Sequence, residues 1–315
     1  VLSYNRLADV STNLPPLIKF CDTEGHQLIV VDNGSTDGSI EEITRLSAQS
    51  PRTTAVFNKE NLGPCGGRNV GFQLAEADYI VCFDDDATMD LEQLKTIPSL
   101  FEKYPEAGIL TFRVRDPGTN LWECNHGDEP CLVANFHEAG AAYRREVFVR
   151  AGYMDPECTY GADGLDMSIR AHAVGYVTQY LPHIIVTHNK LIRSVRIEAD
   201  RRLKLVYCNV RVLNKLFPSR MAAACSWRVL LRYAVPDICR RDFALAGQLV
   251  KEAQRAAIAG KKVYQALPKS TLDFYHNPKL RPDFGNTPVI ANYIELQKLK
   301  KENSLWVLRQ ASKQK

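Results

Sequence analysis

Short apolar runs and helix-like stretches alternate along the first half of the chain. Leu28-Ile29-Val30-Val31 is an unbroken apolar run, the pattern of a strand covered on both faces. It stops at Asp32-Asn33-Gly34-Ser35-Thr36-Asp37-Gly38, a dense turn signal. The pattern then predicts a helix over 39–48, a strand at Thr54-Ala55-Val56-Phe57, a connection over 58–67 and a helix over 68–77. Tyr79-Ile80-Val81-Cys82-Phe83 reads as a third buried strand and runs directly into Asp84-Asp85-Asp86. A helix over 91–104 and a strand over 108–112 follow. This alternation predicts an α/β architecture. Val1-Leu2-Ser3-Tyr4 reads as the tail of a strand, so residues before Val1 are expected.

The pattern changes near residue 190. Strand-like runs give way to helical periods over 193–216 and 237–267, a Pro-rich wrapping loop over 268–288 and a last helix over 292–310. The expected division is a domain over 1–190 and a helical region over 191–315. Between 191 and 241, twelve Lys and Arg residues face three acids, Glu198, Asp200 and Asp237. Such a stretch is either a docking face for an anionic membrane surface or charged acceptor, or a solvated helix face with some Arg contacts to the first domain.

Composition narrows the class without naming it. The formal net charge of +4 gives no whole-molecule argument for nucleic acid, and no apolar run is long enough to span a bilayer. Nine scattered cysteines suit a reducing compartment rather than a disulfide scaffold, so a cytoplasmic protein is expected, if membrane-bound then at the inner face. Cys124, His126, Cys131 and His137 fit no common zinc spacing and read as ordinary buried thiols and histidines.

Three segments carry candidate chemistry. Acidic residues end two strands, Asp32 and Asp84-Asp85-Asp86, where open parallel sheets bind ligands. Grouped carboxylates repel unless a cation or donor-rich ligand is present, so the triplet is either a divalent-metal site or a polar turn leading into a helix. Asn61-Leu62-Gly63-Pro64-Cys65-Gly66-Gly67-Arg68 lacks the Lys-Ser/Thr ending of a Walker loop. It is either a tight turn or a phosphate site at a helix start near Arg68. Asp163 and Asp166 share a face in the first turn of a predicted helix, as caps or with one as a general base.

The ordered set of motifs resembles the family 2 glycosyltransferases with the GT-A fold. It comprises Ser3-Tyr4-Asn5-Arg6, Val31-Asp32-Asn33-Gly34-Ser35-Thr36-Asp37, Asn61-Leu62-Gly63 through Arg68-Asn69-Val70-Gly71, Phe83-Asp84-Asp85-Asp86, Gly140-Ala141-Ala142-Tyr143-Arg144-Arg145 and Asp163-Gly164-Leu165-Asp166. The resemblance covers roughly residues 1–215. Leu181-Pro182-His183, His188 and the stretch 201–218 are similar to the rhamnosyltransferase-like branch.

The resemblance implies a GT-A, Rossmann-like nucleotide-sugar-binding domain with a mainly helical C-terminal extension. It implies a metal-dependent inverting transferase moving a sugar from a nucleotide-diphosphate donor, UDP or dTDP, to an acceptor hydroxyl on a glycan, lipid-linked or small molecule. Tyr4, Asn5, Arg6, Asp32 and Asn33 would meet the donor nucleotide, Asn61, Gly63 and Arg68 its phosphates, Asp85 the ribose, and Gly140 and Ala141 the sugar. Asp84, Asp86 and His188 would hold Mn2+ or Mg2+. The family's acidic pair is broken here, because Asp163 is followed by Gly164; Asp163 is the expected base and Asp166 the second choice. Trp122, Glu123, His126 and Trp227 are candidate acceptor contacts. The competing expectations are a nucleotidyltransferase and a non-catalytic nucleotide-sugar-binding subunit; oligomeric state is left open.

Overall fold

The computed structural model describes residues 1–189 and 195–276. In chain order the elements are β1 Leu2–Ser3, α1 Leu7–Glu24, β2 Leu28–Asp32, α2 Ser39–Ser47, β3 Thr53–Phe57, α3 Gly63–Leu74, β4 Tyr79–Phe83, β5 Ala87–Met89, α4 Leu91–Leu94, α5 Ile97–Lys103, β6 Ala107–Asp116 and β7 Leu121–Cys124. They continue as β8 Cys131–Val133, β9 Gly140–Arg144, α6 Arg145–Ala151, α7 Asp163–Ala173, β10 Val177–His188, α8 Val195–Leu216, α9 Ser219–Cys239, α10 Phe243–Lys262 and α11 Lys269–His276.

Strands β1, β2 and β3 form a parallel sheet in that order. A larger mixed sheet runs β4-β9-β6-β10-β5, with β7 on β6 and β8 on β10. The two meet at one place: Leu2 bridges Asp84 in parallel, and the Asp85 N–H donates to the Leu2 carbonyl at 3.1 Å. The acidic triplet therefore sits where the end of β4 touches β1, beside the turn that follows β2. Two apolar clusters cover the large sheet, one running through Phe72, Tyr143 and Leu165 to α8, the other through Phe101, Phe112 and Tyr180.

Several element boundaries differ from the sequence pattern. Helix α3 begins at Gly63, not near Arg68, because Pro64 occupies its first turn, where a missing N–H costs nothing. Gly66 and Gly67 consequently lie inside the helix; a side chain at 66 would strike Leu62 and one at 67 would strike Leu2, so Gly67 lets α3 approach β1. The helix expected over 91–104 is two, because Pro98 cannot donate to the preceding turn. The period over 237–267 belongs to two helices: α9 ends at Cys239, Arg241 turns with φ +62°, and Asp242 caps α10 by accepting from the Leu245 N–H at 3.0 Å. The Pro-rich stretch opens with α11 instead of a loop. The remainder of that stretch and the helix expected over 292–310 lie outside the described residues.

The helical segment is fastened by a buried ionic cluster. Asp155 accepts from Arg211 at 3.2 Å and Lys215 at 3.0 Å, and Lys215 also reaches Asp166 at 3.2 Å. Asp166 is held again by Arg170 at 2.5 Å. Part of the basic character of the 191–241 stretch thus neutralises Asp155 and Asp166, which precede it in the chain.

Candidate active site

The turn after β2 is organised by side chains that point back at their own backbone. Asp32 is fully buried, and its Oδ1 accepts from the Gly34 and Ser35 N–H groups at 3.0 and 2.8 Å. Its Oδ2 has no partner among the described residues, an acceptor held ready in a buried place. Asn33 donates to Asn61 Oδ1 and the Gly63 carbonyl, both at 3.0 Å, and accepts from Asn58 and the Leu62 N–H. This fixes the 58–63 loop against the turn. Gly63 opens α3 with φ +72°, a conformation open to glycine. Tyr4 is 44% exposed, and Asn5, at φ +53°, is tied to the same turn through Ser35 and Thr36 at 2.8 Å each.

Each carboxylate of the triplet meets an arginine. Arg68 Nη2 lies 2.6 Å from Asp84 Oδ1, and its Nη1 lies 3.0 Å from Asp163 Oδ2. Arg6 contacts Asp86, stands 3.7 Å from Asp85 and reaches Asp9 at 3.4 Å. The mutual repulsion expected of three adjacent carboxylates is thereby offset from within the chain. Burial works against the charge on Arg68, but the negative groups around it, Asp84 foremost, hold its guanidinium charged well above the ordinary range. Burial pushes Asp85 up to about 7, with Asp84 adding to the rise. Asp85 is turned inward, accepting from the Tyr4 N–H at 3.3 Å.

Asp86 leads to a histidine cluster that sequence spacing does not reveal. His188, the last residue of β10, has Nε2 3.2 Å from Asp86 and Nδ1 2.9 Å from Glu123 Oε2. His137 approaches the same Glu123 oxygen at 3.2 Å. Asp84, Asp86 and His188 each offer a ligand atom within 4.8 Å of the others, as do Glu123, His137 and His188. Two carboxylates and an imidazole form an O/N donor set of the kind Mn2+ accepts, so these residues fit a divalent cation. Glu123 was a candidate acceptor contact; the structure places it behind His188. Cys124 is near His126, but neither metal-capable group among the described residues includes a cysteine.

The two candidate bases separate. Asp163 is the first residue of α7, its side chain 14% exposed and, among the described residues, paired with Arg68. Asp166 is 1% exposed, with Oδ2 on Arg170 and Oδ1 on Lys215. It belongs to the ionic cluster and does not reach the cleft, which corrects the second choice. Gly164 also has a local cause: a Cβ there would collide with the carbonyl oxygen of Phe136, so no second acid fits beside Asp163. One further expectation changes: Arg68 gives both terminal nitrogens to carboxylates. Gly140 and Ala141 are buried in β9 between β4 and β6, Ala141 within the apolar core, with Gly140 paired to Phe83 beside the triplet. Nearby, Glu138 takes a hydrogen bond from the Tyr143 hydroxyl; burial first, and then the Asp163 charge, push it up to about 8.

A family model, glycosyl transferase family 2, matches residues 1–150. That match runs from β1 into α6 and takes in the acidic triplet. An uncharacterised glycosyltransferase of Haemophilus influenzae is 42% identical over 60 residues, 19% of this chain and 24% of that protein. One from Nostoc sp. is 26% identical over 148 residues, 41% of this chain and 45% of that protein. The poly-β-1,6-N-acetyl-D-glucosamine synthase of Staphylococcus aureus is 24% identical over 174 residues, covering 50% and 42%. The chain thus spans less than half the length of each of these relatives. Among solved structures, a mannosyltransferase from Pyrobaculum calidifontis, in complex with GDP-Man and Mn2+, superposes with TM-score 0.56 and 18% identity over 87% of this chain and 77% of that one. Staphylococcus aureus TarS 1–349 with UDP-GlcNAc gives 0.52 and 16% over 87% and 90%. The architecture is the GT-A fold with a mainly helical extension.

Proposed function

We propose that the chain is an inverting, metal-dependent glycosyltransferase, with residues 1–190 as its catalytic domain and 191–315 as a helical region built onto it. The observation that carries this is the Arg68 bridge, which sets the candidate base Asp163 and the candidate metal ligand Asp84 on two sides of one buried guanidinium.

Asp163 accepts the proton of an acceptor hydroxyl as that oxygen forms its bond to the anomeric carbon. The bond from that carbon to the phosphate oxygen breaks on the opposite face, and the nucleotide diphosphate leaves with the electron pair. Arg68, 3.0 Å from Asp163 Oδ2, orients it. Asp32 Oδ2 accepts from the donor base, Tyr4 and Asn5 lie at the same turn, and Asn33 and Asn61 shape the loop beside the phosphates. Asp84, Asp86 and His188 would hold a divalent cation, which would supply positive charge for the departing diphosphate. The Mn2+ in the Pyrobaculum calidifontis complex supports that choice. UDP, GDP and dTDP sugars are the donor classes to compare, the first two because the structural neighbours carry them.

Thermal shifts with a panel of these donors, each with Mn2+, test the reading, followed by transfer assays with EDTA. One nucleotide class should raise the melting temperature, since a ligand of the native state alone stabilises it, and EDTA should abolish a transfer that Mn2+ restores. Pyrophosphate release from a nucleoside triphosphate and a sugar phosphate would instead make the chain a nucleotidyltransferase. Donor binding without turnover over an acceptor panel would favour a binding subunit.

Glu123 is expected to act through His188. A carboxylate on one imidazole nitrogen fixes the tautomer that presents the other to a metal. Glu123→Gln should weaken Mn2+ binding about 10- to 100-fold by titration calorimetry, with an unchanged melting temperature for the metal-free protein. Unaltered Mn2+ affinity would remove Glu123 from the metal site.

A further inference from the structure

Helix α9 shows two unlike faces. Leu230 and Ala234 are buried with Val206 and Val210 of α8 and with Leu249 and Ala253 of α10. On the other side Trp227, Leu231, Val235 and Ile238 are 63%, 52%, 42% and 49% exposed. Their spacing of four, four and three places them on one stripe of the helix, about 16 Å long at the α-helical rise. Single exposed apolar residues are ordinary, but a continuous row marks an interaction surface.

The charges beside the row name its partner. Residues 219–241 contain five arginines and one acid, Asp237. Asp237 is 1% exposed and held through both oxygens by Arg202 at 2.6 Å. What α9 presents to solvent is therefore apolar and cationic, with exposed Arg228 and Arg232 each directly following a residue of the row. Among the described residues no helix is long and apolar enough to cross a membrane, and an apolar row flanked by arginines is the make-up of a helix that binds along a lipid surface. A second copy of this chain is disfavoured, because a two-fold contact across this face would bring both copies' arginines into one interface with no exposed acid on α9 to offset them.

We propose that this face of α9 docks on an anionic lipid surface. Trp227, Leu231, Val235 and Ile238 enter the headgroup layer, and Arg220, Arg228 and Arg232 meet lipid phosphates. The inference is independent of the donor chemistry, so its failure leaves the transferase reading standing.

The test is co-sedimentation of the full chain with phosphatidylcholine vesicles, with and without about 30% phosphatidylglycerol. Partitioning onto the anionic vesicles should exceed that onto neutral ones by at least about tenfold and weaken with added salt. A Trp227→Glu, Leu231→Glu variant should lose it with an unchanged circular dichroism spectrum and melting temperature, both positions being exposed. Arg228→Glu, Arg232→Glu, which leaves the apolar row intact, should lose the preference for anionic lipid. Equal binding to neutral vesicles, no binding at low salt, or binding that survives both double variants overturns the proposal. So does a concentration-dependent dimer that the Trp227→Glu, Leu231→Glu variant abolishes.

Discussion

Asp163→Asn is expected to slow sugar transfer by at least about a thousandfold, near the upper part of the range for losing a general base, while donor affinity changes less than about threefold. The amide keeps the size of the carboxylate and can still accept from Arg68 Nη1, now 3.0 Å from Asp163 Oδ2, so the local geometry survives. What disappears is the capacity to take a proton. The loss should therefore fall in kcat and kcat/KM together, with the donor dissociation constant, measured by calorimetry, held. Near-parental turnover would show that Asp163 is not the base. A large drop in donor affinity would show instead that Asp163 matters through Arg68, by keeping that guanidinium in position beside Asp84.

Three residues further on, Asp166→Ala is expected to act on the fold. The side chain is 1% exposed and answers both Arg170 and Lys215. Its removal leaves two buried cations short of a counter-charge, and breaking such a pair from one side costs about 3–5 kcal/mol. Urea denaturation should show that loss as a lower midpoint with an unchanged slope. Transfer per folded molecule should stay within about twofold of the parent, as for a change outside the transition-state contacts. A loss under about 1 kcal/mol would mean that Asp155 alone satisfies Lys215. The two variants together distinguish aspartates that look interchangeable in sequence.

That ambiguity shows what the chain discloses without a structure. The strands ending at Asp32 and Phe83 are legible because covered strands read as unbroken apolar runs, and the acids after them stand where ligands bind such sheets. Helix α1 is not legible, although Val10, Leu14, Ile18 and Cys21 repeat at helical spacing. Pro15 and Pro16 sit inside it, and two successive prolines signal a break that packing here overrides. The start of α3 was readable from Pro64, whose place in a first turn is a positive signal rather than a breaker. Partners were the hardest to see. Arg68 and Asp163 are 95 residues apart, and Glu123 and His188 are 65; no local period relates them. The spacing of Asp163 and Asp166 predicts a shared face, yet one lies at the very start of α7 and the other one turn inside, where different cations reach them.

Gly164 bears on how such a site can drift. Since any side chain at 164 meets the Phe136 carbonyl, no substitution at 164 alone places a second acid directly after Asp163. A lineage that regained it would have to move the 135–136 backbone in the same step. That backbone continues into His137, which shares Glu123 with His188. The proton-accepting end of the cleft and its histidine flank are therefore anchored to one loop, and relatives that differ at the first are expected to differ at the second.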